Sequence, residues 1–350
     1  MVAALHKISS YRAATICSSA APNLNQWKVS SSLITEHQFS EAAERLRQGD
    51  LVAFPTETVY GLAANALDSV AVAKIFELKG RPTFDPLIVH VAKSEDLLNL
   101  VTEVPRPIKR LIDRFWPGPL SVVLPRNSIV PDLVTSGLPS VAVRCPSHPV
   151  ARRLIAEAGV PLAAPSANRF GRISPTTAEH VREQFPEALA TILDGGPCEV
   201  GVESTVVGYD GTDVILYRPG GITLEAIAEE VGEIKVAGTD DKTPSSPGQL
   251  TQHYAPRTPM IISAQRLPKA DENRVGLLAL AKSEPPTDPS AFAEIEFLSQ
   301  DGSLREAAAN LFAAMRRLDE QNLELIIARP VPERDLGLAI MDRLRRASAR

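Results

Sequence analysis

Residues 36-50 read as a helix, and Gly49-Asp50 breaks it before the apolar run Leu51-Val52-Ala53-Phe54, a buried strand that Pro55 ends. A second helical pattern covers 68-78, where Val70, Ile75, Phe76 and Leu78 alternate with polar positions, and residues 86-92 follow as a strand. Further strands are predicted at 120-124, 140-144, 191-194, 203-208 and 213-217, with helices near 106-115, 148-158, 176-184 and 223-231. Strands and helices that keep alternating predict a mixed α/β domain, because each helix buries its apolar stripe on a sheet.

The periodicity stops between about 232 and 258, where Gly, Thr, Asp, Pro and Ser take over, as in a connector. Strands return at Val275-Gly-Leu-Leu-Ala-Leu280, Ile295-Glu-Phe-Leu298 and Leu323-Glu-Leu-Ile-Ile-Ala328, with helices near 303-320 and 335-347. A smaller, Rossmann-like α/β domain is therefore expected at the C-terminal end. The expected division is a tail at 1-30, a first domain at 31-232, a linker at 233-258 and a second domain at 259-350.

A chain of 350 residues is longer than one core usually fills, which agrees with two domains. Its net charge of -5 argues against a surface built throughout to clamp nucleic acid and leaves room only for a local basic groove. Cys17, Cys145 and Cys198 are far apart and form no C-x-x-C pair, so neither a disulfide framework nor a cysteine zinc site is supported, and a reducing compartment is expected. Lys7, Arg12 and Lys28 precede the first acidic residue, Glu36, but that stretch has no apolar h-region and reads as a frayed tail. With no apolar run long enough for a bilayer, the expectation is a soluble, cytoplasmic protein without a membrane partner.

The chemistry-bearing candidates are short. There is no G-x-x-x-x-G-K-[ST] and no G-x-G-x-x-G between a strand and a helix, so a bound nucleotide would need side chains for its phosphates. Lys79-Gly80-Arg81-Pro82 suits that role if Pro82 holds Arg81 extended, since extended residues two apart project to one face; a solvated helix end explains it equally well. Thr56 and Thr58 follow a buried strand, where α/β folds place ligands, but could simply make a β-turn. Ser166 and Asn168 sit among small residues and could instead cap a helix. Arg144 ends the strand Ser140-Val-Ala-Val143 and could fork onto a carboxylate or form a surface ion pair. His90, inside an apolar run, has the setting of a core histidine. No metal-ligand spacing occurs, so any metal would arrive as Mg²⁺ with phosphates.

Together these pieces fall in one order: F-P-T-E-T-V-Y-G-L at 54-62, K-G-R-P at 79-82, P-L-I-V-H at 86-90, W-P-G-P-L at 116-120, R-C-P at 144-146 and A-P-S-A-N at 164-168. E-S-T-V-V at 203-207, R-P-G at 218-220 and Q-H-Y-A-P at 252-256 follow. This order resembles the YrdC-type threonylcarbamoyl-AMP synthases, in the long form with a linker and a C-terminal domain, over roughly residues 35-350.

The resemblance implies a twisted mixed α/β sheet with a large, positively lined concave pocket. It implies a reaction in which L-threonine and bicarbonate give an N-carboxylated threonine that attacks the α-phosphate of ATP and expels pyrophosphate. A separate tRNA threonylcarbamoyl transferase complex would use the product, and a weak contact with tRNA is compatible with the fold. By motif match, Thr58, His90, Arg144, Ala164 and Ser204 would surround threonine. Lys79, Arg81, Ser166 and Asn168 would act on the phosphates, and Asp85, Ser140, Ser174, Arg218 and Tyr254 would also belong to the ATP side. An RNA-binding module of the same fold is the alternative; a related hydrogenase-maturation protein carries cysteine-rich zinc segments that this chain lacks.

Overall fold

Helix α1 (Glu36–Arg47) starts where it does because Thr35 and Gln38 form a reciprocal capping box, each side chain accepting the other's backbone N–H. The structure is a computed structural model and describes residues 34–238, 253–265 and 274–349. The predicted tail at 1-30 and most of the predicted linker lie outside the described residues.

After α1 come β1 (Val52–Phe54), β2 (Gly61–Asn65), α2 (Ser69–Lys79), β3 (Ile88–His90), α3 (Arg106–Phe115), β4 (Leu120–Pro125), α4 (Asp132–Thr135), β5 (Ser140–Arg144) and α5 (Pro149–Ala158). Then follow β6 (Leu162–Ala163), α6 (Ala178–Gln184), β7 (Thr205–Tyr209), β8 (Val214–Arg218), α7 (Leu224–Val231) and β9 (Ile234–Val236). The rest comprises β10 (Met260–Ile262), β11 (Val275–Ala281), β12 (Glu294–Ser299), α8 (Leu304–Glu320), β13 (Leu325–Ala328) and α9 (Gly337–Ser348). The mixed α/β expectation holds: β1 to β9 form one nine-stranded mixed sheet in the order β1-β2-β6-β3-β5-β4-β7-β8-β9. A second, four-stranded sheet has the order β10-β13-β11-β12, and all its pairs are parallel.

Several local expectations change. Residues 191-194 form no strand; Ile192 makes an isolated bridge to Ala53. Strands β2 and β6 escape the apolar pattern because β2 is largely Gly and Ala, poor strand formers, and β6 has two residues. Residues 234–236, inside the expected linker, extend the sheet edge as β9, with Lys235 and Val236 exposed.

Two packing features position the site. Strands β3 and β5 run parallel with His90 paired in register to Arg144, so both side chains stand at the strands' carboxyl ends. The second core is also shared: Val59, Ile173, Val202 and Tyr254 pack in one cluster with Leu311, Phe312, Met315, Ile340 and Leu344. Loops of the first sheet are thereby part of the interior of the second unit.

Candidate active site

The segment after β1 is held by its own hydroxyls. Thr56 Oγ1 donates to the carbonyl of Val59 at 2.7 Å and lies 2.7 Å from Thr58 Oγ1. Because the Thr56 proton is committed to that carbonyl, the Thr58 hydroxyl donates to Thr56. Thr58 Oγ1 in turn accepts from Arg144 Nη1 at 2.9 Å. The chain therefore runs Arg144 to Thr58 to Thr56 to backbone, with all three side chains buried. Arg144 also donates through Nε to the Gly118 carbonyl at 3.3 Å and makes a charge contact with buried Glu57 at 2.6 Å. Its guanidinium is thus fixed before any ligand arrives.

His90 stands beside Arg144, and burial, then the neighbouring guanidinium, pushes its pKa down to about 3. It is a neutral imidazole at physiological pH. Ala164 continues β6, antiparallel to β3, and donates its N–H to the carbonyl of Ile88, the first residue of β3, at 3.0 Å; its small side chain lines the cavity there.

Lys79 and Arg81 do not project side by side. Lys79 ends α2, and Gly80 caps the helix in the left-handed region with φ of 63°, so the backbone is not extended there. The Lys79 ammonium donates to the carbonyls of Ser166 and Asn168 at 2.6 and 2.5 Å, and burial holds its pKa well below the usual lysine range. Asn168 Nδ2 donates to the carbonyls of Arg169 and Arg172 at 2.8 and 2.9 Å. Lys79 and Asn168 thus brace the 166-172 loop, while Arg81 faces the cavity, paired with buried Asp85 at 2.8 Å. Desolvation raises the Asp85 pKa, with Arg81 opposing.

On the opposite wall Arg218 donates to the Ser204 carbonyl at 3.0 and 3.2 Å and to its hydroxyl at 3.2 Å, and Ser204 Oγ lies 2.8 Å from Ser121 Oγ. Thr58, Arg81, Asp85, His90, Arg144, Ala164, Ser166, Ser204, Arg218 and Tyr254 all line one cavity. Lys79 and Asn168 stand behind that wall. Ser174 is buried and donates to Glu203 Oε1 at 2.5 Å rather than facing the cavity. Ser140 starts β5, at the end of that strand opposite Arg144.

Sequence reasoning left Glu57, Glu203 and His253 without roles, although each stood inside a quoted motif. His253 and Tyr254 lie over the cavity, nearly buried, with ring centroids 4.0 Å apart. Burial and then Arg81 and Lys79 hold the His253 pKa well below the usual histidine range. A cavity with three guanidinium groups, hydroxyls and a neutral imidazole can orient a carboxylate and spread phosphate charge.

Residues 44–220 match the family model Sua5_yciO_yrdC, described as "Telomere recombination", and residues 222–349 match "Threonylcarbamoyl-AMP synthase, C-terminal domain". The threonylcarbamoyl-AMP synthase of Pyrococcus abyssi is 44% identical over 90% of this chain and 95% of its own length. The chain belongs to the threonylcarbamoyl-AMP synthase family. The Bacillus subtilis member is 43% identical, over 89% of this chain and 93% of its own. The crystal structure of P. abyssi Sua5 complexed with L-threonine superposes with a TM-score of 0.83 at 42% identity, covering 90% of this chain and 95% of that one. Membership over both sheets makes the chain an enzyme of this synthase class and makes ATP its nucleotide substrate.

Proposed function

We propose that the cavity makes L-threonylcarbamoyladenylate from L-threonine, bicarbonate and ATP by holding the reactants without a covalent enzyme intermediate. The amino nitrogen of threonine first bonds to the carbon of bicarbonate as a C–O bond there breaks and water leaves, giving an N-carboxylate. One oxygen of that carboxylate then bonds to the α-phosphorus as the bond from phosphorus to the bridging oxygen of pyrophosphate breaks. Threonine lies against Thr58, His90, Arg144, Ala164 and Ser204, with its carboxylate on the Arg144 fork. Arg81, Ser166 and Arg218 face the phosphates, with Asp85 orienting Arg81. Lys79 and Asn168 brace Ser166, Ser174 holds Glu203 in the wall, and Tyr254 closes over the nucleotide side.

One observation carries the reading: residues from segments as distant as 58, 144 and 204 on the amino-acid side and 81, 166 and 218 on the phosphate side open into the same cavity. Proximity of two bound reactants is itself a large part of such a rate enhancement. His90, neutral because of its burial, serves as a hydrogen-bonding wall and not as a proton donor at neutral pH. Mg²⁺ accompanies ATP as part of the substrate. Its ligands are chiefly phosphate oxygens and water, as is usual for magnesium carried by a nucleotide.

In this reading residues 31-232 form the catalytic unit, extended at its edge by β9 from the start of the 233-258 linker, in which His253 and Tyr254 lie over the cavity, and 259-350 form the second α/β unit. The product passes to a tRNA threonylcarbamoyl transferase complex in the cytoplasm, with at most weak direct contact to tRNA. No helix among the described residues is long and apolar enough to cross a membrane. The test mixes purified protein with ATP, Mg²⁺, bicarbonate and labelled threonine, and follows threonylcarbamoyl-AMP and pyrophosphate. Adenylation that proceeds equally without bicarbonate would overturn the reading.

A further inference from the structure

Helix α9 carries an arginine that makes no use of solvent. Arg343 is 0% exposed, and its burial should be costly unless its charge is matched. The match comes mainly from the other unit: Nε donates to Glu203 Oε2 at 2.9 Å and Nη1 to the Pro219 carbonyl at 2.5 Å. The guanidinium also lies 5.4 Å from the Tyr254 ring centroid, with Asp342 at 3.0 Å. Burial works against its charge, but Tyr254, Glu203 and Asp342 outweigh it and its pKa lies above the usual arginine value, so it stays charged.

Glu203 and Tyr254 line the cavity, and Pro219 is one residue from it. Glu203 precedes Ser204, and its other oxygen holds Ser174. Pro219 follows Arg218. Tyr254 lines the cavity from a backbone with φ of 64°, a left-handed conformation that a tyrosine keeps only where its surroundings fix it. A second arginine of the C-terminal unit grips the same wall, Arg316 donating through Nη2 to the Ile173 carbonyl at 2.5 Å, next to Ser174.

We propose that Arg343 is a positioning residue for the synthase reaction: from the C-terminal helix it fixes Glu203, the Pro219 carbonyl and Tyr254, and so sets where Ser204 and Arg218 stand. The inference rests on the cavity being the active site. An apolar contact would join two units just as firmly; a charge that forks onto the strand ends beside Ser204 and Arg218 also fixes their direction.

Full-length Arg343→Met and Arg343→Lys are compared with the native chain by pyrophosphate release, varying threonine and ATP separately, well below each protein's melting midpoint. Displacing the wall should lower kcat/KM of Arg343→Met about ten- to a hundred-fold. The loss should fall on KM for both substrates as well as kcat, because Ser204 serves one and Arg218 the other. Arg343→Lys keeps the charge on Glu203 but not the fork, and should recover part of the loss. A folded Arg343→Met with kcat and both KM values within two-fold of native overturns the proposal. If Arg343→Met does not fold, Arg343→Lys decides by the same criterion. A native chain that forms no threonylcarbamoyl-AMP refutes the reaction itself, whereas an active native chain with unchanged variants refutes only the role of Arg343.

Discussion

Replacing Lys79 with methionine separates two ways in which a lysine can serve a phosphate site. The substitution keeps a long apolar stem and removes the ammonium, which donates to the Ser166 and Asn168 carbonyls at 2.6 and 2.5 Å. A charged hydrogen bond is worth about 1.5–3 kcal/mol, and each buried carbonyl left unpaired costs about 1–3 kcal/mol. Against this stands the burial of the ammonium, strong enough to push its pKa far down, so removing it also relieves a desolvation penalty. The balance is a net loss of about 2–4 kcal/mol in unfolding free energy. Activity should fall as well, because the 166-172 loop that presents Ser166 loses its brace. An ammonium acting directly on a phosphate gives another result: a transition-state loss of about 2.7–4 kcal/mol with little change in stability. Denaturant titration and steady-state pyrophosphate release on the same protein distinguish them. Lys79→Met with unfolding free energy within about 0.5 kcal/mol of native, the range of an ordinary surface substitution, refutes the bracing argument.

Other outcomes follow from the same geometry. A Cβ at Gly201, where φ is 73°, would lie 2.4 Å from backbone atoms of Ala308 and Ala309 in α8. Gly201→Ala should therefore cost about 2–5 kcal/mol through backbone strain and overpacking, read as a lowered melting midpoint. Arg144→Lys keeps a charge but loses the fork that reaches Thr58 and the Gly118 carbonyl; KM for threonine should rise about ten-fold or more while KM for ATP changes less, measured by varying each substrate. For His90 the folded pKa of about 3 lies below the ordinary 6.5, so the unfolded chain binds the extra proton. Its contribution to stability is full above pH 6.5 and is lost as pH falls toward about 3. His90→Gln should flatten that part of a stability–pH profile, and an unchanged slope would contradict the assignment of a neutral buried imidazole.

What could be read along the chain was the alternation of elements; what could not was which side chains would face inward together. Long amphipathic stretches such as α8 and apolar strands such as β5 announce themselves, because burial on one face leaves a period that a single sequence records. Strands β2 and β6 leave no such trace, yet they carry the backbone that sets Leu162 beside His90 and brings Ala164 to the cavity. The site divides in the same way. Arg144 at a strand end was legible from the run before it. The turn of Lys79 away from Arg81 was not, because it depends on the left-handed Gly80 and on carbonyls eighty-seven and eighty-nine residues away. Arg343 was further still from view, since an arginine in the charged stretch Asp342-Arg-Leu-Arg-Arg346 ordinarily implies a solvated face. Only its burial against Glu203, 140 residues earlier in the chain, gives it a meaning. Local patterns thus located the walls of the cavity, whereas the groups that hold those walls in place lie at long sequence separation, where no local period can report them.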